Sequence, residues 1–391
     1  MAERRVIDPD LQFIRCLEKS GGESLKKCYQ CATCSVVCEL SPEERPFPRK
    51  EMLWAQWGQK ERLIHDPDVW LCHQCNDCTI RCPRGARPGD VLAAVRAYIY
   101  EFFTFPRFMG KALATPFALP LLFLFPILII AGLAWFTTGG DFTFLTSTPI
   151  VYGKMLAHGY IEMLFIGGNI LIFLLAAVGL WRFWSSLQHD AAKDGGPAFL
   201  QALVRTILAI ITHHHFGTCI QNRPRQLAHL FVFYGFIGAA ITAGVAVLYT
   251  VILEHGSPIA ITNPIKWLGA LSGVAIFIGS TMMIVRRNNG IADVGAKGYA
   301  DQLFLWMIFL VGLTGMLSWL IRLAEIPLLA YPVYFVHVVM VFFLLWYMPY
   351  SKFAHVLYRT LALVWAEQHQ RHLAEKTQPA IQTEVSTGAA A

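Results

Sequence analysis

The chain has 391 residues, of which 55% are hydrophobic and only 15% charged, and its mean hydropathy is +0.47. This composition excludes an ordinary soluble globular protein. More than half of the charged residues lie within the first 111 positions. The sequence therefore predicts a soluble domain over residues 1–111 and a membrane part over most of the remaining chain.

Two runs of four cysteines share one spacing, C-x2-C-x2-C-x3-C; Pro83 closes the second run, whereas Glu39 follows the first. Two-cluster ferredoxins hold a pair of 4Fe–4S clusters with this run, and the fourth cysteine of each run ligates the cluster of the other. The sequence therefore predicts two 4Fe–4S clusters. The ligands are Cys28, Cys31, Cys34 and Cys82 for one cluster, and Cys72, Cys75, Cys78 and Cys38 for the other.

Disulfides and zinc are the alternatives for these cysteines. A disulfide framework does not repeat one tight spacing twice, and zinc prefers paired C-x2-C knuckles without further cysteines in the same run. Iron–sulfur clusters fit the spacing better than either. Cys16 and Cys219 lie outside both runs, and we interpret them as structural thiols.

Six apolar stretches are long enough to cross a bilayer as helices, which takes about 20 residues. The prolines of the first stretch predict that its first half is kinked or interfacial. The predicted fold is mainly α: a ferredoxin-like helical domain (1–111), a membrane domain with a six-span helix bundle (112–365) and a disordered tail (366–391). The spans are placed near residues 115–136, 158–181, 229–253, 267–285, 303–321 and 332–350.

Loop charges predict the orientation of these spans. The loops after the second and fourth spans are rich in Lys and Arg, whereas each of the three loops on the other side holds one basic residue. By the positive-inside rule, both termini and the cluster domain face the cytoplasm, and the protein is a multi-pass protein of the cytoplasmic (inner) membrane. That side is also reducing, as thiolate-bound iron requires.

The loop after the second span contains a further apolar pattern. Residues 197–216 place apolar side chains at helical spacing, which predicts a helix lying on the membrane surface. Three adjacent histidines follow, and on a helix they point in three different directions. We therefore interpret His213, His214 and His215 as a polar helix end rather than a ligand set.

Histidines within and at the ends of the spans predict haem. Neutral imidazoles from facing helices ligate haem iron, and ionisable side chains in spans usually face the bundle interior. The pattern predicts one b haem between His229 and His355, near the clusters, and a second, outer one between His337 and His158. His255 is the rival of His158, and a bundle with one haem remains open. On one continuous helix, the 18 residues from His337 to His355 would place both on one face, about 27 Å apart.

The first part of the chain resembles a known family. Residues 25–96 resemble the small iron–sulfur subunit of heterodisulfide reductases. The features that carry this resemblance are the two cysteine runs, the segment Pro48–Arg49–Lys50 between them, and Trp70–Leu71 just before Cys72.

The membrane part, from about residue 155 to 365, resembles the cytochrome b subunit of respiratory nitrate reductases and its relatives in heterodisulfide reductase. His229 with the following Phe233–Tyr234–Gly235–Phe236 is similar to one haem helix of that family. The family's second histidine on this helix would be at Ala239, so the resemblance leaves the last ligand of the outer haem to His158 or His255. The last span matches the family's offsets at His337, Pro349, Ser351, Lys352 and His355.

The fusion of these two modules resembles the C subunit of the quinone-interacting membrane-bound oxidoreductase complexes. The resemblance implies that menaquinone is the bound substrate and that the partners are two flavin- and cluster-containing subunits related to the heterodisulfide reductase flavoprotein. It also implies electron exchange with adenylylsulfate reductase in dissimilatory sulfate reduction. No nucleic-acid partner is expected.

The expected role is that of the quinone-reactive subunit of an oxidoreductase. The chain has no dinucleotide-binding motif, so the chemistry of a soluble substrate belongs to a partner subunit. Glu162 lies one helical turn from His158 and is the candidate for quinone proton handling, with an interfacial carboxylate as the alternative. The alternative functions are a membrane subunit for heterodisulfide or sulfite reduction, and a membrane-tethered iron–sulfur sensing module without quinone chemistry.

Overall fold

The computed structural model describes residues 8–43, 45–188, 196–213, 223–253, 259–289 and 298–369. Within these ranges all regular structure is helical, as the sequence predicts. The N-terminal part contains α1 (Leu11–Leu17), α2 (Thr33–Val36), α3 (Arg49–Gln56), α4 (Lys60–Ile64), α5 (Asp68–Leu71), α6 (Asp77–Ile80) and α7 (Pro88–Phe103). The remaining helices are α8 (Arg107–Ala114), α9 (Leu119–Thr138), α10 (His158–Gln188), α11 (Phe199–Ile211), α12 (Arg223–Val247), α13 (Pro264–Asn288), α14 (Tyr299–Leu323), α15 (Pro327–Trp346) and α16 (His355–Gln368).

Within the described ranges, six helices are long and apolar enough to cross a membrane: α9, α10, α12, α13, α14 and α15. They correspond to the six predicted spans. Their outward faces are apolar and exposed, as at Leu121, Phe173 and Leu174, and this is the surface that a bilayer covers. The chain therefore has the architecture of a multi-pass membrane protein with an N-terminal cluster domain.

The expectation that His337 and His355 share one helix is wrong. The last span, α15, ends at Trp346, and 3-10 turns at Met348–Tyr350 and Lys352–Ala354 precede α16. Pro349 has no amide hydrogen for a helical bond, and the Ser351 hydroxyl accepts from the amide of Phe353 where the chain starts to turn again. His355 is consequently the first residue of a separate helix.

The cluster domain and the membrane part share one hydrophobic core. Trp70 of the cluster domain packs with Phe183 of α10 and with Tyr358 of α16 in a single group of buried side chains. The ring of Trp70 stacks on that of Tyr358 with centroids 5.7 Å apart and an interplanar angle of 15°. Helix α16 is thus the support on which the cluster domain rests, and it continues to Gln368, beyond the expected start of the tail. The predicted tail from residue 370 onward lies outside the described residues.

Candidate functional site

The two cysteine runs have the same backbone conformation. In each run, the residue two after the first cysteine and the residue after the second cysteine are left-handed: Gln30 and Ala32 in the first run, Gln74 and Asn76 in the second. Their φ angles are 60°, 67°, 54° and 68°. This conformation costs a residue with a side chain about 1–2 kcal/mol, so its recurrence at matching positions requires support from the rest of each loop. The repeated spacing in the sequence is therefore a repeated structure.

One group of thiols combines the first run with the last cysteine of the second. Cys28 lies within electrostatic range of Cys82 and Cys31, and Cys34 lies within range of Cys28 and Cys31. Burial, with the neighbouring thiols adding to it, raises the pKa of Cys34 to about 11. Buried thiolates that repel one another need a compensating cation, which an iron–sulfur cluster supplies.

The other group combines the second run with the last cysteine of the first. Cys38 lies beside Cys72 and Cys75, and burial followed by these two thiols raises the pKa of Cys38 to about 12. Cys78 interacts with all three of these cysteines and also with Cys34 of the first group. The two thiol groups are therefore neighbours, and their composition fits two four-thiolate cluster sites.

Several donors point at the cysteine sulfurs. The backbone amide of Gln74 donates to Cys72 Sγ at 3.3 Å, and that of Ala86 donates to Cys82 Sγ at 3.3 Å. Hydrogen bonds of this kind stabilise thiolate charge and set cluster potentials. Each group contains one buried thiol, Cys34 in the first and Cys78 in the second, but the first group also contains the exposed Cys31 and therefore lies nearer the protein surface.

A buried charge cluster joins α3 to α5. Lys50 Nζ lies 2.6 Å from Asp68 Oδ2, 3.2 Å from Glu51 Oε1 and 3.4 Å from Asp66 Oδ2. Burial alone lowers the pKa of Lys50, but the three carboxylates outweigh it and raise the pKa, so the ammonium stays charged. The carboxylates are close enough together to hold a metal ion, but the ammonium already balances one of their charges, and burial raises the pKa of Glu51 and that of Asp66. We interpret this group of charges as a structural interaction that fixes α3 to the segment that carries Trp70 and Cys72.

Replacing Lys50 by methionine is expected to lower the free energy of unfolding by about 3–5 kcal/mol, because three buried carboxylates lose their counter-ion. The measurement is the urea concentration at which the iron–sulfur absorbance of the purified protein is lost. Lys26→Met is the matched control, since Lys26 forms an ion pair with Glu18 at 3.0 Å while its side chain is 75% exposed. Equal midpoints for the two variants would contradict the structural role.

His229 and His355 line one large cavity. It has a volume of 1420 Å³, larger than the roughly 300–1,000 Å³ of a typical small-molecule site. It extends from Cys72 in the second cluster loop into the helix bundle, and the two imidazoles lie close enough to interact electrostatically. Its walls within the bundle are apolar, with Val232 and Phe236 of α12 among them.

His355 has the hydrogen bonding of a metal ligand. Its Nδ1 donates to the carbonyl oxygen of Lys352 at 2.6 Å, which leaves the lone pair of the neutral ring on Nε2. Burial, as the largest cause, lowers the pKa of His355 to about 4 and keeps the ring neutral. Two neutral imidazoles on different helices, apolar walls, and the cationic side chains of Arg225 and Arg359 on the lining fit a haem with its anionic propionates.

Contacts hold this cavity against the second cluster loop. Arg96 of α7 donates to the carbonyl of Cys72 at 3.2 Å and to Gln74 Oε1 at 3.0 Å. Arg225 near the start of α12 donates to the carbonyl of Gln74. The second thiol group therefore lies beside the cavity, whereas the first lies farther out toward the protein surface.

The structure places His337 in a different environment. Its Nδ1 is 3.1 Å from Thr314 Oγ1, and its ring covers Gly315, where a Cβ atom would come within 2.9 Å of Cε1. The glycine is what allows α14 and α15 to approach around this ring. His337 is not among the described residues that line the cavity of His229 and His355.

The other candidates at the outer end are not joined to His337 by any contact recorded among the described residues. His158 is exposed at the start of α10, with its ring next to Gly153. Glu162 Oε1 accepts a hydrogen bond from Thr250 Oγ1 at 3.3 Å, so this carboxylate faces the end of the third span. His255 lies outside the described residues. The outer haem and its ligands therefore remain predictions.

The sequence pattern does not predict that His213 lies on the cavity wall. The pattern assigns it to a polar helix end, but it lines the cavity, with its ring centroid 5.7 Å from that of His229 and 4.7 Å from that of Phe233. The amphipathic pattern of α11 indicates which face of the helix turns inward, but not what it turns toward. His214, His215 and Cys219 lie outside the described residues.

Comparison with known protein families identifies the N-terminal part. A model described as a 4Fe-4S dicluster domain matches residues 24–86. The C subunit of the H(2):CoB-CoM heterodisulfide,ferredoxin reductase of Methanothermobacter marburgensis is 35% identical over 88 residues, 22% of this chain and 47% of the relative. A protein of Archaeoglobus profundus that is similar to the C subunit of heterodisulfide reductase is 31% identical over 102 residues, 26% of this chain and 54% of the relative.

One relative is similar over most of the chain. Citrate utilization protein B of Escherichia coli is 25% identical over 333 residues, 77% of this chain and 82% of the relative. By contrast, the chain spans about half the length of the heterodisulfide reductase relatives that it matches. No solved structure matches. The chain thus carries an N-terminal 4Fe-4S dicluster domain that is similar to the C subunit of heterodisulfide reductase, and this domain is joined to six membrane-type helices.

Proposed function

We propose that this protein exchanges electrons between menaquinol and a cytoplasmic flavin- and cluster-containing partner. The observation that carries the proposal is the cavity that joins His229 and His355 to the loop of Cys72. A redox group held by the two histidines would lie directly beside the second thiol group. A membrane-tethered sensing module has no need for such a connection.

In this proposal the thiols hold two 4Fe–4S clusters. Cys72, Cys75, Cys78 and Cys38 hold the inner cluster, and Cys28, Cys31, Cys34 and Cys82 hold the outer one. The shared left-handed residues of the two loops and the grouping of the thiols support this assignment. Clusters held by these cysteines would exchange single electrons, with the second group facing the membrane part and the first group facing the partner.

His229 and His355 hold a b haem in the cavity, and His337 contributes to a second, outer haem. Bound haem iron accepts and releases one electron at a time. The chain's own residues fix its surroundings: Lys352 orients the His355 ring through its carbonyl oxygen, and Arg96 ties the cavity wall to the Cys72 loop. Oxidation of a quinol releases two electrons and two phenolic protons; the one-electron groups that these residues would hold would take up the electrons singly, and the protons would pass to water.

The outer end of the electron path supports a protein partner. Around the exposed Cys31, the side chains of Tyr29, Val36 and Ile80 are 68%, 78% and 47% exposed. Apolar side chains gathered at a redox centre are typical of a surface that another subunit covers. We place the cluster domain on the cytoplasmic side, because Arg225, which belongs to the basic segment after the second span, donates to the carbonyl of Gln74 in the second cluster loop.

The identity of the soluble partner is the finer part of the proposal. Homology to the C subunit of heterodisulfide reductase favours a partner related to the heterodisulfide reductase flavoprotein, and the predicted final acceptor or donor is adenylylsulfate reductase. A partner of another pathway is the second candidate. The similarity to citrate utilization protein B over 77% of the chain favours it, because that similarity includes the membrane helices.

The test is to purify the chain from membranes and quantify haem and iron together. We expect one or two b haems and two 4Fe–4S clusters per chain, all reduced by a naphthoquinol that mimics menaquinol. The readouts are the pyridine haemochrome spectrum, an optical redox titration and electron paramagnetic resonance of the clusters. A preparation with full clusters but no haem would reject the electron path and favour the tethered iron–sulfur module.

A further inference from the structure

One wall of the cavity is formed by α11, which carries neither of the two proposed haem ligands. Helix α11 lies against α16, where Arg205 forms an ion pair with Glu367 at 3.1 Å, and against α12, where Tyr234 donates to the carbonyl of Ile211 at 2.7 Å. Its buried Thr206 lines the cavity, and so does Arg205, whose side chain is also exposed to solvent. The helix therefore closes the cavity on the side of the membrane surface.

The other face of α11 is exposed and apolar. Leu200 is 70% exposed and Leu208 is 56% exposed, which suits a helix lying in the interface between lipid and water. The cavity behind it continues along α12 past Ile237 to Ala240, and both of these side chains are apolar. A molecule that fills this space needs a polar group near α11 and an apolar body deeper in the bundle.

His213 is the polar group at that end. Its ring meets that of His229 nearly edge-on, with an interplanar angle of 66°, and it packs against Phe233. Its Nδ1 donates to the carbonyl of Ile211 at 3.2 Å, so in the neutral ring Nε2 is the acceptor. An acceptor beside apolar and aromatic side chains is suited to a phenolic hydroxyl group.

We propose that His213 binds the head group of a quinol next to His229, with the prenyl chain along α12 and with α11 as the wall between this site and the lipid. This inference rests on the proposed function and deepens it by placing the quinol site at the cluster end of the bundle. The alternative place is the opposite end of the bundle, around Glu162. An acceptor nitrogen pairs with the hydroxyl of the reduced form and not with the carbonyl of the oxidised form, so the site prefers quinol over quinone.

The experiment compares His213→Ala, His213→Gln and Thr212→Ala in the full-length purified protein. Thr212 is a matched control because it is exposed and its hydroxyl bonds only to carbonyls of its own helix, at Leu208 and Ala209. In His213→Ala we expect the KM for a naphthoquinol to rise about tenfold, the effect of one lost hydrogen bond, with haem absorbance unchanged. His213→Gln keeps an acceptor oxygen and recovers part of the affinity, and Thr212→Ala behaves as the wild type.

A second readout does not depend on turnover. An azido-quinol photoprobe is expected to label peptides of α11 and α12 in the wild type, and to lose this labelling in His213→Ala. Labelling of α10 around Glu162 instead, or an unchanged KM in His213→Ala, overturns the site. Loss of haem from His213→Ala also overturns it, because His213 would then be a haem ligand. A wild-type protein that contains haem but does not react with quinol overturns the proposed function itself.

Discussion

Replacing Cys38 by alanine is expected to remove the cluster of the second cysteine run and to leave the cluster of its own run in place. The reason is the grouping of the thiols, in which Cys38 lies with Cys72, Cys75 and Cys78. Non-haem iron and acid-labile sulfide should fall by half. Because the missing cluster is the one beside the cavity, the remaining cluster should no longer be reduced by quinol, although dithionite still reduces it.

The matched control is Cys82→Ala, the mirror-image substitution. Cys82 lies with Cys28, so this variant should lose the outer cluster and keep quinol reduction of the inner one. Electron paramagnetic resonance of samples reduced by quinol and by dithionite distinguishes the two variants, even though their iron contents are equal. Quinol reduction that survives in Cys38→Ala and fails in Cys82→Ala would contradict the assignment of ligands and the order of the clusters.

Replacing His355 by alanine is expected to remove one haem per chain. His355 is the first residue of α16, and its donated bond to the carbonyl of Lys352 turns the Nε2 lone pair toward the cavity that it shares with His229. A haem that His229 and His355 held together would lose one of its two protein ligands in this variant, and would either stay bound with a changed spectrum or be released. Pyridine haemochrome quantitation and the Soret absorbance measure the change. Added imidazole should restore part of the low-spin spectrum, because it replaces the missing ligand.

His369→Ala is the control on the same helix. His369 is bonded through Nδ1 to the carbonyl of Trp365 and stacks on its ring, and it is not among the described residues that line the cavity. We expect this variant to keep its haem. A haem content and a Soret spectrum that are both unchanged in His355→Ala would remove His355, and with it the inner haem site, from the proposal.

The spacing of the cysteines predicts how the thiols are grouped, because a C-x2-C-x2-C-x3-C run can turn only three sulfurs toward one centre. The six spans were equally accessible, since a bilayer sets a minimum length of apolar helix. Both are local or nearly local constraints. A single sequence carries them without any knowledge of tertiary contacts.

The features that the sequence did not disclose depend on contacts between distant segments. His213 lies beside His229 only because α11 packs on α12 and α16, and nothing near residue 213 indicates that neighbour. Pro349 could have predicted the end of α15. The apolar pattern continues to residue 350, however, and therefore favours one uninterrupted span. The tie between Lys50 and its three carboxylates joins α3 to residues 66–68, and their separation in the sequence gives no sign of it.

The core shared by Trp70, Phe183 and Tyr358 has a kinetic consequence. Since the cluster domain is packed onto α10 and α16 rather than suspended from a linker, the gap between the inner cluster and the histidine cavity is constant. In the proposed electron path, an electron would therefore cross this gap by tunnelling over a fixed distance, without waiting for a domain movement. The rate of electron transfer within the protein should therefore stay the same when glycerol raises the viscosity of the solvent. The rate of encounter with a soluble partner should fall in proportion to viscosity.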